Sequence, residues 1–146
     1  MVWSFKPFSA LTTAELYAVL ALRSAVFVVE QRCIFQDIDG TDDQAMHLLG
    51  SLGGELVAYA RCFAAGIKYP EAAIGRVISH SGQRGTGLGY RLMQQALGSM
   101  AAQWGTQAIR IGAQARLEAF YTSHGFVTTG IAYVEDGIDH IEMVRP

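Results

Sequence analysis

Positive charge is scarce in this chain. Its 146 residues hold 11 Lys plus Arg against 13 Asp plus Glu, a formal net charge of -2. That balance offers no broad basic surface to grip a nucleic-acid backbone by counterion release, so nucleic acid is not an expected partner. A local arginine cluster would still suffice for a small anion. Cysteine is scarcer: Cys33 and Cys62 are too few for a disulfide framework, and neither sits in a CxxC or Cys/His pattern with metal-ligand spacing. Both read as small buried hydrophobes with free thiols, and no metal is expected. Long apolar runs are missing too, since none approaches the roughly 18 residues of a membrane span. The start "MVWSFKPFSALTTAEL" lacks the charged leader, apolar run and small-residue cleavage site of a signal peptide. A reducing cytoplasm is the expected compartment.

What is present is apolar mass. At 51% hydrophobic residues, the chain can bury a sizeable core as one domain, spanning residues 1–146. After an extended "VWSFKPF", Thr12-Thr13-Ala14-Glu15 has the T-x-x-E form of a capping box and predicts a helix ending near Val28. Leu16, Leu20 and Phe27 are expected to face the core, with Glu15 and Arg23 outward. The polar stretch "EQRCIFQDIDGTDDQA" reads as an irregular loop whose acidic run, Asp37 to Asp43, is expected to be solvated and able to attract a cationic amine.

"MHLLGSL", Gly53-Gly54 and "ELVAYARCF" read as a β-hairpin, and "AAIGRVIS" as a further strand. Leu92, Met93, Ala96, Leu97, Met100 and Trp104 recur at helical spacing, predicting a helix from Gly89 to about Trp104. A strand "QAIRIGAQ", a short helix "RLEAFYTSH" closed by Gly125, and two strands turning at Asp136-Gly137 complete the chain. This order predicts an α/β or α+β mixed sheet carrying helices.

"QRGTGLG" stands between strand and helix. Glycines at Gly85, Gly87 and Gly89 permit left-handed backbone angles and close approach to the amides. The loop runs into a helix start, so its N–H groups converge with the positive end of the helix dipole, and Arg84 adds a planar cation: an anion site. Leu88 follows Gly87 and the loop has no lysine, so a GxxxxGK[ST] phosphate loop does not fit. Reading GxGxxG from Gly85 fails at Tyr90, and no acid stands about twenty positions on, so a dinucleotide fingerprint fails as well.

Strand "IGRVIS", loop "QRGTGLG", helix "YRLMQQAL" and "AFYTSHGF" resemble the acetyl-CoA-binding core of the GNAT superfamily of N-acetyltransferases. "LRSAVFVVEQRCIFQDIDGTD" and "EDGIDHIEM" resemble its ElaA-like branch, so the likeness covers almost the whole chain. The resemblance implies a twisted mixed sheet whose two central parallel strands splay, with helices on both faces. It implies acetyl-CoA as cosubstrate, its pantetheine lying between "AIGRVIS" and "AIRIGAQ". Backbone groups of Val77, Ile78 and Ser79 would then bind the pantetheine, and amides of Arg84, Gly85, Thr86, Gly87, Leu88 and Gly89 the pyrophosphate. Tyr121 stands where the family places a general acid. Gln114 occupies a position where many members have asparagine contacting the pantetheine or a water. Arg116 and Asp139 depart from the histidine and proline expected in close relatives. Pairing through sheet edges or tails, common in the family, makes a homodimer compatible with the chain.

Acyl transfer to an amine needs a deprotonated amine, help for charge on the carbonyl oxygen and a proton for the thiolate. A phenol of pKa about 10 is protonated at neutral pH and can serve a thiolate whose acid has a pKa of about 8.5, which suits Tyr121. For the base, Glu30, Asp37, Asp39, Glu135, Asp136, His47, His80 and His140 all qualify, as does a chain of waters. Glu30 follows "VFVV" at the expected mouth of the site, and His140 shares a strand face with Ile138 and Glu142 while titrating in the useful range. The expected function is acetyl transfer to a primary amine, carried on a small molecule or a peptide, by direct attack in a ternary complex. A non-catalytic acyl-CoA sensor or interaction module of the same fold is the alternative. A phosphate-ligand protein of another fold is disfavoured by the two failed phosphate motifs.

Overall fold

The structure is a computed structural model describing residues 1–146. Its elements run β1 (Val2–Pro7), α1 (Thr13–Arg23), β2 (Met46–Leu52), β3 (Glu55–Phe63), β4 (Ala72–Ser79), α2 (Leu88–Trp104), β5 (Ile109–Gln114), α3 (Glu118–Thr122), β6 (Val127–Glu135) and β7 (Ile138–Arg145). One seven-stranded sheet takes the order β1-β2-β3-β4-β5-β7-β6. Every neighbouring pair is antiparallel except β4 and β5. Both hairpins turn where glycine chemistry predicts. Gly53 and Gly54 have φ of 60° and 83°, and Asp136 and Gly137 have 51° and 76°, the doubly positive pair a two-residue hairpin requires.

Alternation along β3 sends neighbouring residues to opposite faces. Ala58, Ala60 and Cys62 pack beneath α2 with Leu88, Leu92, Met93, Ala96 and Met100, while Tyr59 packs beneath α1 with Val19, Leu22 and Val26. Helices therefore cover both faces of the sheet. Burying each leucine or methionine of the α2 stripe contributes about 1.5–3 kcal/mol. The capping box forms at the start of α1: Thr12 Oγ1 accepts from the Glu15 amide at 3.0 Å, and Glu15 Oε1 accepts from the Thr12 amide at 2.9 Å. Lys6 Nζ reaches the same carboxylate at 2.7 Å and ties β1 to the helix.

Beyond its cap, the first helix departs from expectation. Regular α geometry stops at Arg23 and a wider π turn carries Ser24–Glu30, with Gln31 N donating to Val26 O at 3.2 Å. Three valines in that run, Val26, Val28 and Val29, are β-branched and poorly suited to a regular helix. The buried stripe is Val19, Leu22, Arg23 and Val26 rather than one centred on Leu16, Leu20 and Phe27. Arg23, expected outward, is 0% exposed.

The acidic loop explains that burial. Instead of being solvated, Asp37 and Asp42 are buried and carry the charge that Arg23 needs. Arg23 donates from Nε to Asp37 Oδ2 at 2.9 Å and from Nη1 to Asp42 Oδ1 at 2.7 Å. Arg61 on β3 bonds Asp42 at 2.9 Å and Asp39 at 2.8 Å. Burying a guanidinium unpaired would cost several kcal/mol, so the loop and these arginines are folded by one another. Behind them His47 is sealed with Tyr59. Its Nε2 faces the Asp42 carbonyl at 2.8 Å and must donate, so Nδ1 accepts from the Tyr59 hydroxyl at 2.6 Å.

Candidate active site

β4 and β5 are paired only at Ala72 with Ile109 and Ala73 with Arg110, then part. The cause is local to β4. Arg61 pairs with Gly75 and Tyr59 with Ile78, so Arg76 and Val77 together oppose Ala60, a bulge that bends the strand away. Arg76 holds φ of 51°, unusual for a side-chain-bearing residue. Asp37 fixes it there, accepting from Arg76 Nε at 2.8 Å, and the guanidinium lies 5.7 Å from the Phe35 ring centroid. The wedge opens into a cleft of about 1210 Å³. Past the bulge, Val77, Ile78 and Ser79 line it with their β5-facing edge lacking a strand partner. Those backbone groups call for a ligand or water.

The glycine loop lies at one end of this cleft. Gly85 and Gly87 have φ of 83° and 81°, and Gly87 caps α2. Gly89 differs from its expected role: it lies inside the first turn with ordinary helical φ, 3.7 Å below the Phe120 ring at its would-be Cβ. Thr86 Oγ1 donates to Gln83 O at 2.6 Å, shaping the loop from within. The first internal bond at this helix start is Arg91 N to Gly87 O at 3.1 Å, so the amides of Leu88, Gly89 and Tyr90 precede the helical ladder. Arg84 Nη2 pairs with Glu30 Oε2 at 2.7 Å, both well exposed. Arg84 therefore holds the Glu30 carboxyl below its ordinary pKa.

Tyr121, on α3, is 7% exposed yet lines the cleft. Its ring packs edge-on against Phe120 and Phe126, and burial pushes its pKa up to about 12. The phenol is thus a firmly protonated donor on the cleft wall. Gln114 ends β5 in the same wall, its amide 3.3 Å from Gln31 Oε1.

On β7, opposite Gln114 of β5, His140 Nδ1 lies 2.7 Å from the Ile138 carbonyl, which can only accept. The neutral ring is therefore protonated on Nδ1 and carries its lone pair on Nε2, 3.8 Å from Glu135. Tyr133 stacks on this imidazole at 5.4 Å. Cys33 Sγ donates to Asp136 O at 3.1 Å and joins the loop after α1 to the β6–β7 turn along the rim. Cys62 is fully buried, and burial raises its thiol to about 12. Asp37 and Asp39 are bound by arginines and His47 is sealed in the core, whereas Glu135 and His140 stand on the cleft wall.

Two groups of site residues escape a reading of the sequence by motif. Arg76 lies within an ordinary strand pattern, and only its partner from the distant acidic loop explains it. Tyr69 and Tyr133 reach the cleft from a loop and an edge strand, but Gly112, an isolated glycine within β5, was a usable signal of close approach.

The splayed parallel pair beside a glycine-capped helix is the architecture of the GNAT fold. The Acetyltransferase (GNAT) domain model matches residues 17–145, and the chain belongs to that family. Protein ElaA of Escherichia coli K12 is 44% identical over 145 residues, covering 98% of this chain and 95% of ElaA. The crystal structure of Escherichia coli ElaA superposes with a TM-score of 0.92 over 99% of both chains at 43% identity. An acyl-CoA N-acyltransferase from Pseudomonas aeruginosa is similar throughout, with a TM-score of 0.94, 40% identity and full coverage of both chains.

Proposed function

We propose that the protein transfers an acetyl group from acetyl-CoA to a primary amine in a ternary complex. The observation that carries this reading is the parting of β4 from β5 beside the glycine-capped start of α2. Pantetheine fits the unpaired edge at Val77, Ile78 and Ser79. The pyrophosphate fits the amides from Arg84 to Gly89, with Arg84 as counter-charge and Glu30 as the residue that positions it. CoA binding would draw Arg84 from a carboxylate to a phosphate, an exchange between two charge-assisted pairs.

His140 suits the base role better than Glu30, because its Nε2 makes no hydrogen bond, with Glu135 3.8 Å away, while the Glu30 carboxylate is engaged by Arg84. The amine loses a proton to Nε2, directly or through water, and its nitrogen attacks the thioester carbonyl. A β4 amide supports charge on the carbonyl oxygen, the C–S bond breaks, and the Tyr121 hydroxyl protonates the thiolate while the remaining excess proton on the adduct nitrogen passes through water to restore the phenol. Both cysteines are outside this scheme. Cys62 is sealed in the core and Cys33 donates to a backbone carbonyl, so direct attack on the thioester is the simpler path.

Calorimetric titration with acetyl-CoA tests the cofactor assignment. Gly87→Trp, which places a bulky ring at φ of 81°, is expected to lose most of the affinity of the wild type. Equal affinity in the two proteins would remove the loop from the cofactor site.

A further inference from the structure

The half of the cleft left free by the cofactor reading has a built end. Gly112 on β5 forms its floor, and a methyl group added there would collide with the Tyr133 hydroxyl and lie 3.8 Å from the Tyr69 hydroxyl. The Tyr133 hydroxyl thus occupies the space that the missing side chain of Gly112 leaves, with the Tyr69 hydroxyl from a separate segment close by. Charge around that point is unbalanced. Arg110 is shared by Glu71 at 2.7 Å and Glu142 at 3.0 Å, and Glu135 lies nearby against His140. Three carboxylates face one guanidinium.

Burial raises both phenols' pKa values, and the negative charges of Glu142 and Glu135 raise them further, with Tyr133 reaching about 12. Burial opposes any charge, but the two carboxylates that help retain the phenolic protons also favour a cation placed beside them. Phenol oxygens accept hydrogen bonds from ammonium, and the ring faces add cation–π attraction.

We propose that Tyr69 and Tyr133, with Glu142 behind them, seat the protonated amine of the acceptor against the two hydroxyls that converge over Gly112, making the acceptor a cationic primary alkylamine. This rests on the acyl-transfer reading. It also sets the order of events: the ammonium docks by charge, then passes a proton toward His140 Nε2, whose ring stacks on Tyr133.

Saturation-transfer NMR with n-butylammonium, n-butanol and butyrate as separate probes tests the seat without any turnover. The wild type is expected to bind the ammonium and to discriminate against the alcohol and the carboxylate. Tyr133→Phe, which keeps the ring and its stacking, is expected to weaken ammonium binding roughly tenfold, the scale of a lost hydrogen bond to a charged group. Gly112→Leu, whose side chain would displace the Tyr133 hydroxyl, is expected to abolish it. Acetyl-CoA affinity should stay within about twofold in Tyr133→Phe, and its melting curve verifies the fold. No ammonium signal from the wild type, equal signals from butanol, or an unchanged signal in Tyr133→Phe would each overturn the proposal. Ammonium binding without acetyl-CoA binding would instead overturn the acyl-transfer reading and leave the seat standing.

Discussion

Arg76 Nε donates to Asp37 Oδ1 across 2.8 Å, and this pair pins a strand residue of φ 51° to the acidic loop. A left-handed angle costs an ordinary side chain about 1–2 kcal/mol, while glycine adopts it freely. Arg76→Gly should therefore keep the bulge while losing the ion pair, and Arg76→Val should lose both. Urea denaturation is expected to find the valine variant less stable by at least about 1 kcal/mol. Equal midpoints would mean that the backbone angle is not strained.

Acid should weaken the protein in two stages. His47 is buried neutral, and burial is the main cause that holds its pKa below 6.5. Its contribution is full above about pH 6.5 and declines as pH falls below that value, where the unfolded chain binds a proton that the folded chain resists. For Asp42, burial acts upward but Arg23 and Arg61 outweigh it, leaving the pKa below 3.8. That contribution is full above about pH 4 and is lost on further acidification. Melting temperatures from pH 8 to pH 3 should show both declines. In His47→Gln the upper decline should shrink, with a remainder from His124, whose pKa burial also lowers. An unchanged upper decline would contradict the assignment.

The glycines of "QRGTGLG" should respond differently to alanine. Gly87 has φ of 81° with open space around its would-be Cβ, so Gly87→Ala carries a purely backbone cost of about 1 kcal/mol. Gly89 is helical, and its would-be Cβ makes ordinary contact with Phe120, so Gly89→Ala should gain about 0.5–1 kcal/mol of stability. Thermal melts of the two variants should move in opposite directions. A fall in both would show that Gly89 is also conformationally constrained.

Tyr121→Phe should lower kcat by about a hundredfold, the lower end of what a general acid contributes, with acetyl-CoA affinity nearly unchanged. Because the phenol is raised to about 12, Tyr121 should impose no alkaline fall in rate below about pH 10. Unchanged turnover in the phenylalanine variant would leave the ring with a packing role only.

Local signals carried most of the architecture into the sequence. The Thr12 to Glu15 box, the two doubly positive turns and the Leu92 to Trp104 stripe each depend on neighbours within a few residues, and each is found where expected. Charge was the misleading property. Arg23 read as an outward residue and Asp37 to Asp43 as a solvated run because their partners lie 14 and 19 positions apart in the chain. Spacing along one helix cannot reveal a pair of that kind. In the site, the glycine loop was legible because backbone freedom is written in residue type. The convergence of Tyr69 and Tyr133 over Gly112 depends on three elements meeting, and only the fold brings them together.

Amine-dependent release of CoA from acetyl-CoA, followed by thiol titration across a panel of primary amines, decides whether the protein is an acyltransferase. Release is expected to require an amine, to favour cationic alkylamines and to fall about a hundredfold in Tyr121→Phe. Tight binding of acetyl-CoA with no release in the presence of any amine would contradict it and make the protein an acyl-CoA sensor.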